Sequence, residues 1–153
     1  MKKVVLLIVA GILLTGCQQK VEVSPIKREF SAGVKCGEEV YRVTCSGTGI
    51  LCVNYDKPEQ LQGLSYRYQG EQLTVKYGAL QYTPCADLPE NAVSQLHDFL
   101  IKIDSKKKKK ITYCDEVTAI YTLPMGEVVC STEDGTIQKI HIKQNNRIYE
   151  FFQ

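Results

Sequence analysis

Two six-residue runs flank Gly70-Glu71, and their alternation leaves little choice of fold. Leu64, Tyr66 and Tyr68 before this pair, and Leu73, Val75 and Tyr77 after it, are apolar or aromatic. The places between them, Ser65, Arg67, Gln69, Gln72, Thr74 and Lys76, are all polar. A period of two is the period of a strand, because successive side chains point to opposite faces. Glycine at the first central position suits a two-residue type II′ hairpin turn. That turn sets Leu64 opposite Tyr77, Tyr66 opposite Val75 and Tyr68 opposite Leu73. The six then share one face, and the chain must supply something to cover it. This is the mark of an antiparallel sheet, wet on one side and packed on the other.

The same test extends to the C-terminal half. Asp134-Gly135 is a strong hairpin signal, Asn145-Asn146 a second and Pro124-Met125-Gly126 a third. These turns predict strands near 117–123, 127–133, 136–144 and 147–152. A two-residue turn at Asp134-Gly135 sets Val129 opposite Ile140. One at Asn145-Asn146 sets Ile140 opposite Phe151 and Ile142 opposite Tyr149. A three-residue turn at Pro124 sets Tyr121 opposite Val129. The row Tyr121, Val129, Ile140, Phe151 then crosses four strands on one face. Further strands are expected near 28–36, 38–45 and 49–55.

One segment has a helical period. After Pro89 come Ala92, Val93, Leu96, Phe99, Leu100 and Ile103, at spacings of three and four. Pro89 suits a helix start and Glu90 a first turn. Such a helix is roughly 22 Å long at 1.5 Å per residue. Eight or nine strands at about 4.8 Å make a sheet about 40 Å wide. A flat sheet of that width outruns one helix, so the sheet curls around the helix or leaves part of its apolar face open. The expected class is α+β: a curved antiparallel sheet covered by one main helix.

The first residues carry a different signal. Met1-Lys2-Lys3 is basic and Val4 to Leu14 is apolar. A spanning helix needs about 20 apolar residues, so this run is too short to anchor the chain. It reads as a secretory signal over 1–16. Leu14-Thr15-Gly16-Cys17 resembles the bacterial lipobox, in which the cysteine is lipidated and becomes the mature N-terminus. The resemblance implies lipidation at Cys17, with acyl groups such as palmitate. One acyl chain binds a membrane only marginally, at about 0.8 kcal/mol per CH2, whereas two or three hold firmly. Residues 17–27 then form the lipidated N-terminus and a polar tether, and 28–153 the folded domain. The expected location is the extracytoplasmic face of the cell membrane, facing the periplasm in a host with an outer membrane.

Removing sixteen residues from 153 takes away Lys2 and Lys3. The formal charge of +2 thereby falls to zero, and no nucleic-acid partner is indicated. Cys36, Cys45, Cys52, Cys85, Cys114 and Cys130 remain beside Cys17. They allow up to three disulfides with the pairing open, or buried free thiols. None is spaced as a zinc site, and no phosphate loop, HExxH or EF-hand loop is present. His97 and His141 lie outside any nucleophile motif, so no enzyme, metal or cofactor is expected. Glu38-Glu39 and Asp115-Glu116 read as solubilising strand starts. Lys106 to Lys110 reads as a solvated loop after the helix, with contact to anionic headgroups as the alternative.

The segment Pro58-Glu59-Gln60-Leu61-Gln62-Gly63-Leu64 with Tyr66, then Leu80, Leu88-Pro89 and the helix, then Gly135-Thr136-Ile137 and Phe151, resembles small Gram-positive lipoproteins of LolA-like fold. The wider group includes the carrier LolA and the LppX type. The resemblance implies a strongly curved, incomplete antiparallel barrel whose concave side holds acyl chains, with no chemistry. The lining expected from register is Leu64, Tyr66, Tyr68, Leu73, Val75, Tyr77, Tyr121, Val129, Ile140 and Phe151. Two functions follow as expectations: binding of an acyl chain, lipid or other apolar ligand in the concave face, or an interaction or structural lipoprotein with a filled core. The partners are the membrane, through the N-terminal lipid, and either a lipid or an envelope protein. The volume inside the sheet separates the two readings.

Overall fold

A computed structural model describes residues 23–84, 89–104 and 110–153. The expected signal segment, Cys17, Cys85, Leu88 and Lys106–Lys109 lie outside these described residues. The elements run β1 (Phe30–Cys36), β2 (Glu39–Cys45), β3 (Ile50–Lys57), β4 (Leu64–Gln69), β5 (Gln72–Tyr77) and β6 (Leu80–Tyr82). The helix α1 (Ala92–Asp104) follows. The chain closes with β7 (Lys110–Cys114), β8 (Thr118–Leu123), β9 (Gly126–Ser131), β10 (Ile137–Ile142) and β11 (Arg147–Phe152).

All the strands form one antiparallel sheet of eleven, in the order β6-β5-β4-β3-β2-β1-β11-β10-β9-β8-β7. The expected α+β class and incomplete barrel do not hold: the protein is mainly β, with a single open sheet. The reason is topological. A barrel closes when its outermost strands pair. Here the first and last strands, β1 and β11, pair at the middle of the sheet, with Val34 opposite Phe151. Each half is a meander running outward from that seam, so β6 and β7 end at opposite edges. The connection between them carries α1 back across the sheet.

The hairpin at Gly70-Glu71 has the register read from the sequence: Leu64 faces Tyr77, Tyr66 faces Val75 and Tyr68 faces Leu73. The C-terminal registers differ. Leu123 pairs with Gly126, so the turn at Pro124-Met125 has two residues and Tyr121 faces Val128. A bulge between Ile137 and Lys139 brings Val128 opposite Ile140. A one-residue slip exchanges the faces of a strand. Val129 therefore points to the outer face, and Val128 is fully buried in its place. At Lys143–Asn145 a 3-10 turn, closed by Asn146 at φ 52°, sets Ile140 opposite Tyr149 rather than Phe151. That shift is two residues, so the faces are kept.

The helix starts three residues after Pro89. Asn91 is its cap: its Oδ1 accepts the Ser94 amide at 2.9 Å, and its own amide donates to Ser94 Oγ at 2.9 Å. Residues 23–27, within the expected tether, lie along the sheet. The Ser24 amide donates to Thr132 O at 3.0 Å, and the Lys27 amide to Gly135 O at 2.8 Å. Gly135 serves twice there. Its φ is +69°, and a Cβ on it would lie 1.9 Å from Pro25 O.

Candidate functional site

The functional question is what covers the apolar face. Val93, Leu96 and Phe99 on α1 are fully buried, as are Val34, Tyr41, Val43, Val53, Val128, Ile140 and Tyr149 on the sheet beneath. Polar bonds fix the helix in place. The Tyr149 hydroxyl donates to Ala92 O at 2.7 Å. Gln95 Oε1 accepts from Asn145 Nδ2 at 2.6 Å and from Arg147 Nη1 at 2.7 Å. On the other side His97 stacks on Tyr68, with ring centroids 3.8 Å apart and planes at 19°.

Tyrosines fill the space between helix and sheet. Tyr41 meets Tyr55 edge to face at 4.8 Å, and Tyr55 meets Tyr66 at 6.1 Å. Burial pushes the Tyr68 phenol up to about 12, with Tyr66 and Asp98 adding to it. Burial likewise raises Tyr55 and Tyr149. Glu39 faces this group and accepts the Tyr41 hydroxyl. Burial raises its carboxyl, and Arg147 opposes the rise. Burial lowers His97, and its contact with Asp98 opposes that, with Nδ1 3.2 Å from Oδ1.

Nine of the ten residues expected to line a concave site share the covered face, through the pairings given above and those of β4 with β3. Most of them pack into or against the core. Tyr68, Tyr121 and Ile140 are buried in the core, and Leu64, Tyr66, Leu73 and Phe151 pack partly against it. A slot between α1 and the β2–β3 turn has a volume of about 120 Å3 and is bordered by Phe30, Cys45, Leu51, His97, Leu100 and Ile137. Two open grooves measure about 430 and 700 Å3 and carry polar and charged groups such as Asp134 and Glu39. Of the ten residues only Phe151 borders any of these three.

The covered face does not stop where the helix stops. It runs outward over β5 and β6, and exposure rises with it: Tyr77 50%, Tyr82 59% and Leu80 74%. Val75 pairs with Tyr82 and Tyr77 with Leu80, so these side chains continue the apolar strip. Sequence reasoning named Leu80 but assigned it no strand, and it missed Tyr82. The signal was the alternation Leu80-Gln81-Tyr82 behind a glycine turn, in a run too short to stand out.

The thiols are spread across the sheet. Cys36, Cys52 and Cys114 are free. Cys45 faces the core opposite Leu51, whereas Cys52 faces outward opposite Thr44. Cys114 and Cys130 flank Ala119 on the two neighbouring strands, a separation of roughly 9–10 Å across two ladders, beyond disulfide reach. Burial pushes the Cys36 thiol up, which disfavours a nucleophilic thiolate. His141 Nε2 lies 2.8 Å from Asn146 Oδ1 on the outer face. Among the described residues no three His, Cys, Asp or Glu side chains gather to hold a metal ion. Nor is any described helix long and apolar enough to cross a membrane. Comparison of the chain with protein-family models, with curated proteins and with solved structures gives no match in any of the three.

Proposed function

We propose that this chain is an exported lipoprotein, held at the extracytoplasmic membrane face by lipid on Cys17, that acts without catalysis as an interaction protein with a filled core. The observation that carries the reading is the packing beneath α1. Phe99, Leu96 and Val93 share one buried core with Tyr41, Tyr149, Ile140 and Val128, all without solvent exposure. Small-molecule sites take about 300–1,000 Å3, and the apolar slot beside this core has a volume of about 120 Å3. Apolar surface left over lies outside, including Tyr77, Leu80 and Tyr82 on β5 and β6 and Ile111 and Tyr113 on β7. The basic start, apolar run and Leu14-Thr15-Gly16-Cys17 support export and anchoring.

A naturally fluorescent polyene fatty acid tests this. It is titrated into the mature chain carrying Cys17→Ser. A filled core gives only weak, non-saturating emission. Saturable binding at one equivalent would restore the acyl-binding reading and overturn this one.

A further inference from the structure

The two edges of the sheet are built differently. A strand at an edge presents outward N–H and C=O groups without a ladder partner, and proteins blunt such edges with lysines, bulges or brevity. The β7 edge uses the first two devices. It opens on Lys110, the last of five consecutive lysines, and its ladder is bulged between Ile111 and Tyr113. Among the described residues the β6 edge has brevity, with Pro84 just beyond it, and neither lysine nor bulge. From Gly78 to Pro84 the chain reads Gly-Ala-Leu-Gln-Tyr-Thr-Pro, without a charge. This same neutral edge bears the most exposed part of the apolar strip, Leu80, Tyr82 and Tyr77.

We infer that two copies of this chain pair edge to edge through β6, antiparallel, to make one continuous sheet. The inference rests on the interaction reading above and names its partner as a second copy. The sequence of the strand is self-complementary in that arrangement. A two-fold axis through Gln81 sets Leu80 opposite Tyr82 of the second copy, and Tyr82 opposite Leu80 of the second copy. Each apolar row then runs unbroken from one sheet into the other, because Tyr77 already pairs with Leu80 and Val75 with Tyr82. On the outer face the two Gln81 amides meet, and amides pair without the repulsion that like charges in this position would bring. A foreign strand needs none of this symmetry. The axis is perpendicular to the sheet, so both α1 helices lie on the same side. Two copies held by lipid on one membrane meet at a raised effective concentration, which helps a three-residue contact form.

The test is sedimentation velocity of the full mature lipoprotein in a mild detergent, from micromolar to millimolar concentration. The protein mass should rise toward twice that of one chain. Leu80→Lys with Tyr82→Lys should hold it at one chain, and both sites are exposed enough for the fold to survive, as circular dichroism would show. Gln81→Lys and Gln81→Glu supply a second arm: each alone stays single, and their mixture forms the mixed pair. A single chain throughout in the natural protein, or a pair indifferent to both sets of changes, would overturn the inference. The fatty-acid titration separates the two levels. A single chain that takes up no acyl probe removes edge pairing alone, whereas saturable probe uptake removes the interaction reading beneath it.

Discussion

His97 is a buried residue whose ionisation bears on the fold. Its ring lies against Tyr68 of β4, its Nδ1 meets Asp98, and Lys27 and Arg28 border the same slot. Burial holds its pKa below the ordinary 6.5. The unfolded chain therefore takes up a proton as the pH falls past 6.5, and the folded chain takes it up only at lower pH. Stability from the neutral ring is complete above the unfolded value and is lost as the pH falls through the folded one. Chemical denaturation from pH ~7.5 to ~5 should show a falling midpoint in this window. His97→Phe keeps an aromatic ring on Tyr68 and removes the proton, so its midpoint should stay level there. An equal fall in both proteins would show that other groups carry the effect.

At the scale of elements, register separates neighbouring residues. Val128 is fully buried opposite Ile140, and Val129 faces outward opposite Lys139. Val128→Asp sets a carboxylate in the core and should cost about 3 kcal/mol or more. Val129→Asp should cost about 1 kcal/mol, the scale of strand preference on a half-exposed face. Urea titrations measure both, and the reverse ranking would restore the register that the turn motifs suggest. The hairpin at Gly70-Glu71 was legible because six clean alternations leave no other register. Its C-terminal counterparts were not. Pro124-Met125 makes a shorter turn than its three-residue motif suggests, and the bulge before Lys139 leaves no mark in composition. The helix was legible in its stripe and misplaced in its start at Pro89, because Asn91 caps it two residues later through its reciprocal bonds with Ser94. Strands β6 and β7 escaped notice because one has three residues and the other is exposed almost throughout.

At the scale of the whole molecule, the overturned features are the α+β class and the incomplete barrel: the protein is mainly β, an open sheet of eleven strands with one α-helix among the described residues. Alternation and turns report on neighbouring strands, but the pairing of β1 with β11 joins the two ends of the domain and has no local signature. The sheet is open because β6 and β7 do not pair; the seam leaves them at opposite edges, and α1 covers the centre but not the wing of β5 and β6. The mismatch between helix length and sheet width was visible in the sequence, and in the structure apolar side chains are exposed at the edges, Leu80 on β6 most of all and Ile111 on β7 as well. The filled centre is the claim on which the functional account turns. Native mass spectrometry of the protein, released gently from its own host, tests it most directly. The account predicts the mass of the lipidated chain, alone or doubled, with nothing further bound. A stoichiometric extra mass of lipid, retained without a covalent bond, would contradict it.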